Sequence, residues 1–79
     1  MDIVRATDCK TLEKIRIDRD FKTRSSLADS MGVNRNTVSR ILDGKIQPSA
    51  DVMYAFVVAL SIPPSEAGEI FFGYALRNM

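Results

Sequence analysis

Apolar and polar positions along the 79-residue chain fall into five blocks with helical spacing and none with strand alternation. The first predicted helix starts near Thr7 or Asp8, either of which can cap it, and runs to about Arg19. Leu12 and Ile15, with Cys9 and the stem of Arg16, share one side, while Glu13, Lys14 and Asp18 are read as facing water. Phe21 follows as a core anchor. A second helix opens at Thr23, whose hydroxyl can cap the amides of Ser25 or Ser26, and places Leu27, Ala28 and Met31 on one face. Gly32 stops it, because a left-handed residue just past a helix costs least as glycine. Val33 plugs the turn and Asn34 caps the third helix, which runs from Arg35 to about Leu42 or Asp43.

That third helix divides sharply. Val38, Ile41 and Leu42 cluster on one side; Asn36, Ser39, Arg40 and Asp43 cluster on the other, flanked by Arg35 and Thr37. Gly44 ends it. Ser49 then caps a fourth helix, DVMYAFVVALS, with Asp51 near the positive end of its dipole. This segment is apolar nearly all round and is expected to be the central core helix. Pro63 and Pro64 break the chain, and Pro64 suits the first position of a fifth helix carrying Ile70, Phe71, Phe72, Tyr74, Ala75 and Leu76. Those side chains point in most directions, so one face is expected to stay bare as a partner surface formed by Phe71, Phe72, Tyr74 and Leu76. Met1 to Ala6 has no helix start; it is read as a frayed end in which Ile3 and Val4 can pack and Arg5 can touch a phosphate.

Composition narrows the picture. The whole chain is one small domain that buries only about 60% of its unfolded surface. A hydrophobic content of 46% suits a globular fold and argues against disorder. No apolar run approaches the length needed to span a membrane, and the N-terminus lacks a signal peptide's apolar stretch, so a cytoplasmic protein is expected. One Cys and no His leave nothing for a Cys/His zinc site or an internal disulfide, and remove the commonest general base. The glycines form no phosphate-cradling loop and the acids are scattered. No enzyme activity, cofactor or metal is expected.

The net charge of +1 hides an asymmetry. From Lys22 to Lys45 five cations (Lys22, Arg24, Arg35, Arg40, Lys45) face only Asp29 and Asp43, whereas from Ile46 onward Arg77 alone opposes Asp51, Glu66 and Glu69. Positive charge therefore gathers on the helix–glycine–helix unit, as a nucleic-acid footprint requires. The major groove of B-DNA admits one helix bearing short or forked polar groups and an apolar back. Arg35 can donate bidentately to guanine, Asn36 can pair with adenine, and Ser39 and Arg40 lie one turn on. Arg24, Asn34, Thr37 and Lys45 are placed as phosphate contacts. Asp43 can pair with Arg40, three residues before it, and repels phosphate.

RSSLADSMGVNRNTVSRILD resembles the helix-turn-helix of the lambda repressor/Cro group, the XRE-type regulators, through Ala28, Gly32, Val38 and Ile41, completed by Leu27, Met31 and Val33. DGKIQPS is similar to the family's connection into its next helix, and the likeness extends from roughly Leu12 to Phe72. The resemblance implies an all-α, compact five-helix domain that binds a double-stranded operator, usually as a homodimer on a near-palindrome. Arg35, Asn36, Ser39 and Arg40 match the family's base-reading helix. Arg24 departs from it, since the family often has a phosphate-touching glutamine there. The expected function is a sequence-specific transcriptional regulator, a phage or bacterial repressor. The same scaffold also serves protein contacts, as in an anti-repressor that binds a repressor or an antitoxin, and the near-neutral charge, Asp43 and the apolar fifth helix fit that alternative.

Overall fold

A computed structural model describes residues 7–77, with side chains as far as Gly73. The expectations for Ile3, Val4 and Arg5, and for the side chains of Tyr74 and Leu76, lie outside what it describes. Five helices follow one another: α1 (Cys9–Asp18), α2 (Arg24–Met31), α3 (Arg35–Leu42), α4 (Ala50–Leu60) and α5 (Pro64–Arg77). No strand occurs among the described residues.

The starts of α1, α2, α3 and α4 are each set by a short polar side chain that satisfies amides the helix itself leaves unpaired. An Asp8 carboxylate oxygen accepts from the Thr11 amide at 3.2 Å, and the Thr23 hydroxyl accepts from Ser26 at 3.0 Å. The Asn34 side chain accepts from Asn36 at 2.8 Å and from Thr37 at 3.3 Å. The Ser49 hydroxyl accepts from Val52 at 3.3 Å. Gly32 closes α2 at φ +70°, a left-handed conformation in which a Cβ is strained, and the Val33 amide turns back to the Ala28 carbonyl.

The helix-turn-helix is held from behind. α2 packs on α3 and α4, α1 packs on α3 and α5, and α4 packs on α5. Leu12, Leu27, Ala28, Val38, Ile41, Leu42, Phe56, Leu60, Ile62, Ile70 and Phe71 form the buried core. Ala28 is fully buried, so the α2 and α3 backbones can approach closely there. Phe56 and Phe71 meet with ring centroids 6.0 Å apart at 44°, a tilted contact within the favourable range for aromatic pairs.

Three expectations are corrected. α4 does not bury its whole circumference: Phe56 and Leu60 are buried, but Tyr54 is 71% and Val58 60% exposed. Hydrophobicity states what can be buried, and the side of α4 that carries Tyr54 and Val58 is left open by the other described residues. Phe71 belongs to the core rather than to a bare partner face, while its neighbour Phe72 is 46% exposed. Glu13 is half-buried rather than turned to water, because two guanidinium groups draw it inward.

Thr7 and Asp8, the first described residues, are fastened to the last helix directly and through Gln47. The Asp8 amide donates to the Ile70 carbonyl at 2.7 Å, Thr7 bonds Gln47 at 2.9 Å, and Gln47 reaches the Phe71 carbonyl at 3.5 Å. Arg16 is buried; it donates to the Phe21 carbonyl at 2.6 Å and to Glu13 at 2.8 Å. Arg19 donates to the Leu60 carbonyl at 2.9 Å, capping the C-terminus of α4 from α1.

Candidate nucleic-acid interface

α3 presents the division its sequence predicts. Val38, Ile41 and Leu42 are buried against the domain, and Arg35, Asn36 and Arg40 are exposed. Asn36 and Arg40 make no side-chain hydrogen bond or ion pair to another described residue, and both carry donors suited to base edges or phosphates. Lys45 is exposed just beyond the helix, its amide bonded to the Arg40 carbonyl at 2.9 Å. These side chains, with the exposed start of α2 at Thr23, lie on the elements that flank the Gly32 turn.

Other residues named from the sequence are already engaged. The Asn34 side-chain carbonyl is spent on capping α3, which leaves its amide hydrogens as donors. Thr37 is half-buried. Arg35 meets Asp29 of α2 through two contacts, Nη2 to Oδ2 at 3.2 Å and Nε to Oδ1 at 3.4 Å. Ser39 is half-buried and its hydroxyl accepts from Arg24 at 3.1 Å. A hydroxyl that accepts one bond keeps its own proton to donate.

Arg24 is the most heavily used cation of the unit. Its Nη1 donates to Asp43 Oδ1 at 2.8 Å and to Ser39, and its Nη2 donates to Glu13 Oε2 at 3.2 Å. One guanidinium thus ties α1, α2 and α3 together. Asp43 pairs with Arg24 across nineteen positions and not with Arg40; Arg24, projecting from the first turn of α2, reaches the end of α3. The Asp43 carboxylate raises the Arg24 pKa further, against the opposing effect of burial, and Glu13 adds to it. Burial pushes the Glu13 carboxyl up, but hydrogen bonds and charge from Arg16 and Arg24 outweigh it and leave it below the usual value of 4.5.

Glu13 and Asp29 are residues of this surface that reading the sequence did not assign as partners. The Glu13–Arg16 spacing of three on a helix was a usable signal. Nothing local announces Glu13–Arg24 or Asp29–Arg35, which depend on how helices cross. Cys9 lies behind α3, its thiol donating to the Ile41 carbonyl at 3.1 Å. Burial, aided by the charge of Asp8, pushes that thiol's pKa up, which suits a packing role rather than a nucleophile.

Among the described residues no His, Cys, Asp or Glu cluster is arranged to hold a metal, and no helix is long and apolar enough to cross a membrane. Residues 11–71 match the family described as the Cro/C1-type HTH DNA-binding domain. No curated protein and no solved structure matches the chain.

Proposed function

The chain belongs to the Cro/C1-type helix-turn-helix DNA-binding family, and from that premise we propose that it is a sequence-specific transcriptional repressor that reads operator DNA with α3. The observation that carries this reading is the two-sided character of α3. Its apolar side is locked into the core, so Arg35, Asn36 and Arg40 are presented on a rigid rod and not on a mobile loop. A groove-reading helix needs that rigidity, because base contacts discriminate only when donors are fixed to within a fraction of an ångström.

In this reading Arg35 addresses guanine, Asn36 addresses adenine, and Ser39 and Arg40 contact bases or flanking phosphates. Asn34, Thr37 and Lys45 position the helix on the backbone. Two copies bind a near-palindrome, joined through α5, where Phe72 is exposed and Tyr74 and Leu76 continue the same helix. Repression follows from occupying DNA that polymerase needs.

A second reading is favoured by one observation. Tyr54, Val58 and Phe72 leave apolar side chains in water on a domain this small, which fits a protein-directed role such as an anti-repressor or antitoxin. Selection from a random duplex pool separates the two. The DNA reading expects enrichment of one sequence, salt-sensitive affinity, and a preference that relaxes in Arg35→Ala and Asn36→Ala. Failure to bind any duplex, joined to a stoichiometric protein complex, would overturn it.

A further inference from the structure

Arg24 stands where α2 meets the reading helix, yet its guanidinium is already occupied. One arm reaches Asp43 at 2.8 Å and the Ser39 hydroxyl at 3.1 Å; the other reaches Glu13 at 3.2 Å. Glu13 is itself neutralised by Arg16 at 2.8 Å. The four charges Arg16, Glu13, Arg24 and Asp43 therefore cancel, and the cluster offers no net attraction to DNA.

The two arms differ. Glu13 sits deeper, shared with the buried Arg16. The Asp43 arm is open to water, where ion pairs are weak, salt-screened and readily exchanged. A guanidinium fork accepts a carboxylate or a phosphate with the same planar geometry. Ser39 is bonded by the same Nη1 and is followed directly by the exposed Arg40, so the guanidinium lies beside the reading surface.

We propose that the Asp43 carboxylate stands in for a DNA phosphate on Arg24, making Arg24 a latent backbone contact that Asp43 restrains. This rests on the DNA reading above and adds a tuning element to it. A phosphate that takes this place must displace Asp43, so the contact contributes less than a free arginine would. Asp43 thereby lowers the sequence-independent part of DNA affinity and leaves discrimination to α3.

A double-mutant cycle on a random-sequence duplex tests this, using the full chain and the variants Arg24→Gln, Asp43→Asn and both together, each checked for fold by circular dichroism. Asp43→Asn is expected to tighten binding about two- to fivefold and to steepen the salt dependence by about one counterion. Arg24→Gln is expected to cost more affinity in the Asp43→Asn background than in the parent. Equal costs mean that the two charges act independently, and a smaller cost means that Asp43 aims Arg24 at DNA; either result overturns the proposal. A readout needing no Arg24 variant is the Arg24 Nε–H resonance. Duplex addition is expected to shift it more in Asp43→Asn than in the parent, and equal or absent shifts count against the restraint. If neither parent nor Asp43→Asn binds any duplex, the DNA reading falls and this inference with it. Salt-sensitive binding with additive effects removes only the role of Asp43.

Discussion

Arg35 and Asp29 face each other across the Gly32 turn, the guanidinium of one helix's first residue against a carboxylate of the preceding helix, with a shortest contact of 3.2 Å. Both side chains are largely in water, 65% and 61% exposed. Such a pair is worth at most about 1 kcal/mol, so it holds Arg35 without committing it. A guanine edge offering two acceptors can take the guanidinium over.

Arg35→Ala is accordingly expected to cost about 1–3 kcal/mol on the selected operator and far less on a scrambled duplex. Asp29→Asn should shift the melting temperature little, since surface changes of this kind stay within about 0.5 kcal/mol. Equilibrium titrations on the two duplexes, with a thermal melt of each variant, check both statements.

Lys45 is exposed beyond the end of α3. Lys45→Ala should weaken binding to operator and scrambled duplex alike, reducing the slope of log affinity against log salt by about 0.9. A loss confined to the operator would mean that Lys45 reads a base.

Acid should weaken the junction of α1, α2 and α3 through Glu13. Its carboxyl titrates lower in the folded chain than in the unfolded one, so the unfolded state binds the proton more readily. The stabilisation is fully present above the unfolded value near 4.5 and disappears as pH falls through the folded value. Glu13→Gln is expected to melt lower than the parent at neutral pH and to show a flatter loss of stability below pH about 4.5. Melting temperatures measured from neutral pH down to acid would show parallel curves if Glu13 has no such role.

Phe56 is fully buried and packs on Phe71 between α4 and α5. Phe56→Ala should cost about 3–5 kcal/mol, most of the stability available to so short a chain. Urea unfolding at low temperature, where the variant retains some folded population, measures it.

The parts of this molecule legible in its sequence are those decided within one turn of chain. Thr23, Asn34 and Ser49 cap helices because a short oxygen reaches amides two or three residues on, and Gly32 ends α2 because only its own φ is at stake. The apolar side of α3 was equally plain, since Val38, Ile41 and Leu42 recur at helical spacing. The exposure of Tyr54 and Val58 was not, because a helix apolar all round does not say which face finds a neighbour. The same limit hid the ion pairs. Arg24 and Asp43 are nineteen residues apart, and only the crossing of α2 and α3 brings them together. Asp43 stood out from the sequence as an obstacle to DNA; the structure gives it a partner.

The bond from the Asp8 amide to the Ile70 carbonyl ties the cap of α1 to the middle of α5. α5 cannot lift from the domain while that bond stands, so the exchange of one backbone proton with solvent reports how firmly the C-terminal helix is seated. A partner that clamps α5 would slow that proton, at a site remote in sequence from the surface it covers.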